Sequence, residues 1–359
     1  THSWGRFLAI AVIAALGCGF YAGLRMTGPD MRLAGDTYYD ATNLCDIRVL
    51  STLGMTDQQI QQLRNVDGVS GVMPAYEADV TSSLAGAQYT LRFHSLDASA
   101  AAASTCSDGL HVESSDANYI NRPILVSGSW PQAPNECLLS ADAIWTNEVH
   151  LGDTVQVLEG TSDLDSTFAV KEFTVVGFVH SSYYTCTTNT GSTSLGSGEL
   201  TSYVYVPEAA FAQDYPYTEA FITVDGAAGL QWPSDAYQQR VDEVSQRLND
   251  IAPELSASRV SQLQADAQAT LDEKRADYER EKADAEAQLN DAQGQLDDAR
   301  SQLDDAAAQL SSAAAQLSSS QADIAAGEQQ LASGQAEHDA GQQQLTVQRE
   351  QAQQAIAQA

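Results

Sequence analysis

Basic residues are scarce in this 359-residue sequence: 17 Lys and Arg stand against 48 Asp and Glu, which gives a formal charge of −31. Neutralising nucleic-acid phosphates takes clustered Lys and Arg, so the composition argues against a nucleic-acid partner. It equally argues against docking on an anionic membrane surface through basic patches. The acid excess is typical of a well-solvated surface.

The sequence also lacks the motifs of common catalytic and metal sites. It has no G-x-x-x-x-G-K-[ST] phosphate loop, no G-x-S-x-G nucleophile elbow and no H-E-x-x-H zinc pair. Asp163 and Asp165 are expected to lie in a solvated turn rather than in a calcium site. Four scattered histidines are expected to be ordinary surface or strand residues: His94, His111, His150 and His180. We therefore predict no catalytic, cofactor-binding or metal residues, and no cofactor.

One long apolar run lies near the start of the sequence. Residues 7–24, "FLAIAVIAALGCGFYAGL", carry no charge, and as a helix they span roughly 27 Å, enough to cross a bilayer core. We predict a transmembrane helix with this core inside segment 1–32. The alternatives are a secretory signal, which would need a clear cleavage site, and a lipoprotein signal ending at Cys18, where Ala15 replaces the usual leucine. Arginines flank both ends, so the positive-inside rule does not set the orientation.

Four cysteines follow the apolar run: Cys45, Cys106, Cys137 and Cys186. An even number of cysteines in an acidic domain fits an oxidising exterior, which favours an extracytoplasmic location. Cys106 and Cys186 both lie in polar loops, and we predict a disulfide between them. Buried free thiols are the alternative reading.

Residues 33–250 predict one α+β domain, because strands and isolated helices alternate there without a regular β-α repeat. Thr56 is the predicted N-cap of a short helix, and two strands joined around Gly86 predict a hairpin. A second short helix is predicted after Ser140 in "SADAIWTNEV". The helix "SDAYQQRVDEVSQRL" is expected to close the domain.

Residues 251–359, called the rod below, have a leucine repeat of seven. Steps of three and four between leucines and small residues indicate one face of a left-handed coiled coil. The predicted seam runs through Leu289, Leu296, Leu303, Leu310, Leu317, Ile324 and Leu331. Roughly 106 residues from Glu254 onward would make a helix of about 160 Å.

Small residues at alternate seam positions predict a closely approaching partner helix. They are alanines in the first half of the seam, and glycines, which weaken an isolated helix by up to about 1 kcal/mol each, dominate further on. A second copy of the chain or a returning helix of the same protein would satisfy the seam, and we favour the returning helix. The sequence begins with Thr and ends in helical composition, so we expect it to be the N-terminal piece of a longer protein.

The order of parts resembles a known family. "FYAGLRMTGPDMR", "YYDATNLCDIRVLSTLGMTDQQIQQLRNVDGV" and "GSTSLGSGELTSYVYVPEAAF" are similar to the large FtsX-like permease subunits of bacterial ABC transporters. The external part looks like the MacB-type periplasmic core domain, after which some members insert a coiled-coil arm. Residues 20–72 carry the most specific part of the likeness, and the cysteines depart from the family pattern.

The resemblance implies a non-enzymatic permease subunit in the cell membrane, with the domain and the rod extracytoplasmic. A separate cytoplasmic ABC ATPase would drive it, for export or for mechanotransmission. It also implies a homodimer or a second permease, and an external cell-envelope partner at the rod tip. The alternative is a single-pass surface adhesin or spacer with a projecting coiled coil. A periplasmic adaptor is a third reading, but no lipoyl-like half-motif precedes Glu254.

Overall fold

A computed structural model of the chain describes residues 3–142, 145, 148–186 and 190–357. The chain divides into two compact units, Thr1–Ala265 and Asp266–Ala359. The elements in chain order are α1 (Ser3–Ala41), β1 (Ile47–Met55), α2 (Asp57–Arg64), β2 (Val69–Ala75), β3 (Glu77–Leu84), β4 (Ala87–Leu96), α3 (Ala98–Ala103), β5 (Ile124–Gly128), β6 (Glu136–Ser140), β7 (Thr154–Gly160), α4 (Leu164–Thr167), β8 (Glu172–His180), β9 (Ser202–Pro207), β10 (Tyr217–Val224) and α5 (Asp235–Ala357). The predicted α+β class is confirmed by this order.

The apolar run at 7–24 lies in α1, which is long and apolar enough to cross a membrane and has no buried residue. The helix continues past the predicted segment 1–32 to Ala41. Its last turns are held there because the Ala41 carbonyl accepts a hydrogen bond from Val112 N, and Thr42 Oγ1 donates to Tyr38 O.

A three-stranded antiparallel sheet in the order β1-β10-β2 forms the smaller layer. Helix α2 packs on it, and its predicted cap is confirmed: Thr56 and Gln59 bond reciprocally as a capping box. The first turns of α5 pack on the same core. Their buried side chains are Val241, Val244 and Leu248.

The larger sheet has the strand order β5-β8-β6-β9-β4-β3-β7. Strand β7 also pairs with β8, so six strands form a closed ring, and β5 is attached to β8. Apolar side chains such as Leu91, Phe93, Phe173 and Val204 are fully buried in the cluster of this sheet, as expected for a barrel too narrow for a channel. The predicted hairpin at Gly86 is confirmed as the β3–β4 turn, where Ala85 and Gly86 have positive φ.

Helix α5 runs from Asp235 to Ala357, so the predicted closing helix and the rod form one element across the expected boundary at 250/251. The helix predicted over residues 140–149 is not found in the described part of that stretch, because Ser140 ends β6 and residues 141, 142, 145, 148 and 149 are not helical. Residues 143, 144, 146 and 147 lie outside the described residues. The seven seam residues of the rod are all exposed, with exposed fractions between 62% and 74%.

Candidate functional site

The two sheets meet at a group of charged side chains, called here the inter-sheet charge network. Arg48 on β1 and Glu219 on β10 come from the three-stranded sheet. The barrel supplies Glu77 and Asp79 on β3 and Arg92 and His94 on β4. Only Tyr76 separates β2 from β3, so Glu77 stands directly at the crossing between the two sheets.

Arg48 connects the sheets. Its Nη2 donates to Glu77 Oε2 at 2.5 Å, and its Nε donates to Glu219 Oε2 at 2.6 Å. Glu219 is fully buried and the Arg48 side chain is about one quarter exposed. Charged hydrogen bonds of this length are roughly twice as strong as neutral ones.

Arg92 extends the network along the barrel. Its guanidinium binds Asp79 through two parallel bonds, from Nε at 2.7 Å and from Nη2 at 2.9 Å. The same Nε lies 3.4 Å from Glu77 Oε1. Glu77 therefore lies between two arginines, one from each sheet.

His94 closes the network on the buried side. Its Nε2 lies 2.6 Å from the Tyr184 hydroxyl, and its Nδ1 faces Glu219 Oε1 at 3.4 Å. That oxygen accepts no hydrogen bond from the described residues. The rings of Tyr183, Tyr184 and Tyr205 surround the imidazole at 5.6 to 5.9 Å between centroids. The site is thus aromatic as well as charged.

The two glutamates differ in their acidity. Burial alone would raise the pKa of Glu219. The interactions of its carboxylate with His94 and Arg48 outweigh the effect of burial and hold this pKa below its ordinary value. For Glu77, burial and the charge of Glu219 prevail over His94 and the two arginines, so its pKa is raised. On acidification Glu77 therefore takes up a proton before Glu219.

Donor atoms of Glu77, His94 and Glu219 lie within 4.8 Å of one another, close enough to be considered as metal ligands. Arg48 and Arg92 already bind these carboxylates. The three carboxylates and the two guanidiniums together leave one net negative charge, which a single proton cancels. A divalent ion would instead add excess positive charge in a poorly hydrated site. The residues therefore fit a proton better than a metal.

The sequence analysis treated His94 as an ordinary strand residue and missed this site. The part of the site on β3 and β4 could have been predicted from the sequence, because the turn at Ala85 and Gly86 fixes the register of that hairpin. That register places Glu77 opposite His94 and Asp79 opposite Arg92, so acidic residues face basic ones.

Of the predicted disulfide pair, Cys106 and Cys186 both lie at the exposed surface, and their pairing stays a prediction. Cys137 is fully buried on β6, and burial raises the pKa of its thiol. His111 bonds to Asp108 through its Nδ1 at 2.5 Å on the exposed surface, and His180 lies 3.7 Å from Asp142.

No family model and no curated protein matches the chain. Among solved structures it is similar to the extracellular domain of the noncanonic ABC-type transporter YknZ from Gram-positive bacteria, at 13% identity and a TM-score of 0.29. That match covers 56% of this chain and 85% of the other. It is also similar to the periplasmic region of MacB from Actinobacillus actinomycetemcomitans, at 12% identity and a TM-score of 0.29, with 56% and 75% covered. At this identity no residue role is transferred from either structure.

Replacing Arg48 by alanine leaves Glu219 buried without its guanidinium. Breaking a buried pair from one side typically costs 3–5 kcal/mol, and we expect about 3 kcal/mol because Arg48 is partly exposed. Urea unfolding of the full-length chain in a neutral detergent, followed by tryptophan fluorescence, measures the change. Lys171→Ala, which removes an exposed ion pair with Asp165, is the control and should cost under about 1 kcal/mol. Equal costs for the two variants would contradict the role given to Arg48.

The lowered pKa of Glu219 predicts a pH dependence. A carboxyl with a folded pKa below its ordinary value of 4.5 contributes stability that is present above that pH and lost as the pH falls through the folded pKa. The stability difference between the wild type and Glu219→Gln should therefore be largest at neutral pH and shrink below about pH 4.5. Urea unfolding at a series of pH values measures it. A difference that grows on acidification would show the opposite pKa direction.

Proposed function

We propose that the chain is the first part of a permease subunit of an ABC transporter, which passes motion between a membrane helix and an external helical arm. In this proposal α1 crosses the cell membrane and the rest of the chain is extracytoplasmic. ATP hydrolysis takes place on a separate cytoplasmic subunit. The supporting observation is that the end of α1, both sheets and the start of α5 are bonded directly to one another.

The end of α1 is fixed to the barrel side of the domain. Thr42 Oγ1 and Ser182 Oγ are hydrogen-bonded to each other at 2.7 Å, and both residues are buried. Asn43 Nδ2 donates to Tyr119 O at 2.9 Å, and Cys45 N donates to Asn121 Oδ1 at 2.9 Å. A displacement of α1 must therefore move the segment 119–122 and the segment after β8.

The same end of α1 is tied to the start of α5. Trp232 N donates to Asp36 Oδ1 at 2.7 Å, and its ring meets that of Tyr39 edge-on at 5.4 Å. Just beyond α1, Asp46 accepts hydrogen bonds from Tyr237 OH and Val224 N, each at 2.7 Å. These contacts join the membrane helix to the first turns of α5.

The start of α5 in turn holds the three-stranded sheet. Gln59 Nε2 on α2 donates to Leu255 O at 2.8 Å, and Arg259 Nε donates to Leu53 O at 3.1 Å. Together with the apolar contacts of Val244, these bonds fix α5 to β1 and α2. Because Arg48 and Glu77 link this sheet to the barrel, the first unit can transmit force as one body.

The rod supports the proposal through its exposed apolar seam. Its apolar side chains keep roughly 70% of their surface exposed over many helical turns. Covering that apolar surface with a partner helix would stabilise the rod by about 25 cal/mol for each Å² removed from water. We propose that a returning helix of the full-length protein covers the seam, or a second copy in a homodimer. A cell-envelope partner at the far end of the rod belongs to the same proposal.

Purification of the tagged full-length protein with its neighbouring gene products tests the function. We expect a P-loop ATPase subunit to accompany it and to hydrolyse ATP in lipid nanodiscs, with inhibition by vanadate. Tyr237→Phe removes only the hydroxyl that bonds Asp46. It should lower the ATP turnover by up to about fivefold, the factor that corresponds to a hydrogen bond of about 1 kcal/mol.

The matched control is Tyr278→Phe, an exposed tyrosine in the second unit, which should leave the ATP turnover unchanged. A complex without an ATPase subunit, and without ATP hydrolysis, would contradict the proposal and favour the adhesin or spacer reading. A turnover equally reduced in both variants would contradict the coupling through Asp46.

A further inference from the structure

A cavity of about 430 Å³ lies where the end of α1, the start of β1 and the start of α5 meet. All of its lining residues belong to the first unit. Its volume is in the range of pockets that bind small molecules, which run from about 300 to 1,000 Å³. None of the six ionisable side chains of the inter-sheet charge network lines it, although the ring of Tyr183 borders both.

Four aromatic residues line the cavity, namely Tyr39, Tyr183, Trp232 and Tyr237. Tyr39 and Trp232 meet edge-on with their ring centroids 5.4 Å apart, and Trp232 keeps 38% of its surface exposed. Tyr237 lies on α5 and lines the cavity from that side, and its hydroxyl donates a hydrogen bond to Asp46. Aromatic faces attract organic cations and also pack against alkyl chains.

Three aspartates line the same cavity. Asp36 accepts from Trp232 N, and Asp46 accepts from Val224 N and Tyr237 OH, so both have structural partners. Asp40 is different: its main-chain oxygen accepts from Asn43 N, but its carboxylate has no hydrogen bond or ion pair with any residue that the structure describes. Among the described residues lining the cavity there is no Lys, Arg or His.

The local environment disfavours uncompensated negative charge. Burial raises the pKa of Asp46 even though Val224 N and Tyr237 OH bond its carboxylate. A positively charged ligand would offset this cost, while an anion would add to it. The combination of aromatic walls with acidic groups is therefore selective for cations.

We propose that this cavity binds an aliphatic amine with two or more ammonium groups, a diamine or a polyamine. Ammonium groups donate N–H bonds to the Asp40 carboxylate and to the free lone pairs of Asp36 and Asp46. The methylene chain packs on Tyr39 and Trp232. An inorganic divalent cation is a poorer fit, because Asp36 and Asp46 are already engaged and aromatic rings line the space that such an ion would need for its waters. The proposal does not rest on the permease function.

Isothermal titration of the full-length chain in a neutral detergent tests the proposal, with hexamethylenediamine as the probe. Hexanediol is the matched neutral molecule, with the same chain and no charge. We expect the diamine to bind and the diol not to bind. Asp40→Asn should weaken diamine binding about tenfold or more, the factor for losing a charged hydrogen bond. Because Asp40 is exposed, this variant should fold normally.

Asp214→Asn is the control for overall charge, since Asp214 is exposed and lines none of the cavities at this junction. Diamine binding should be unchanged in it. Trp232→Leu, which removes one aromatic side chain from the cavity, should also weaken diamine binding. Three results would overturn the proposal: no heat from the diamine at millimolar concentration, equal binding by wild type and Asp40→Asn, or Mg²⁺ displacing the diamine at equal concentration.

Discussion

The structure of the first unit depends on the buried carboxylate of Glu219. A charge removed from water costs several kcal/mol unless it is paired, so the position of Arg48 is strongly constrained. Since Arg48 also binds Glu77 across the sheet boundary, the three-stranded sheet and the barrel cannot separate without exposing or orphaning charge. The apolar cores provide the larger share of stability, but this network fixes how the two sheets meet.

The same constraint links fold and proposed function. Strand β1, which carries Arg48, begins a few residues after α1 and bonds along β10, which carries Glu219. Strand β10 leads through a short turn to Trp232 and the start of α5. The end of α1 and the start of α5 are therefore neighbours in space although about 200 residues separate them in sequence. A short path of charged and neutral hydrogen bonds connects them, and the cavity with Asp40 lies beside that path.

Local patterns in the sequence were sufficient for much of the fold. The helix of the apolar run, the Thr56 cap, the Gly86 turn and the helix of the rod each depend on neighbouring residues, and each was found where expected. The charge network was missed because Arg48 and Glu219 meet only through the pairing of β1 with β10, which no local pattern reveals. Closure of the barrel by β7 and β8 is likewise a long-range result. The partner of the seam, the cysteine pairing and the domain boundaries stay predictions.

The most direct test of the central claim is whether the first unit moves with the ATPase cycle. Genetically encoded spin labels at Gln156 on β7 and Gln288 on α5, both exposed, would report the distance between the barrel and the rod. The measurement uses the full-length complex in lipid, nucleotide-free and after vanadate trapping. We predict that the distance distribution shifts between the two states. An unchanged distribution in a complex that hydrolyses ATP would contradict the coupling and leave the chain a static spacer.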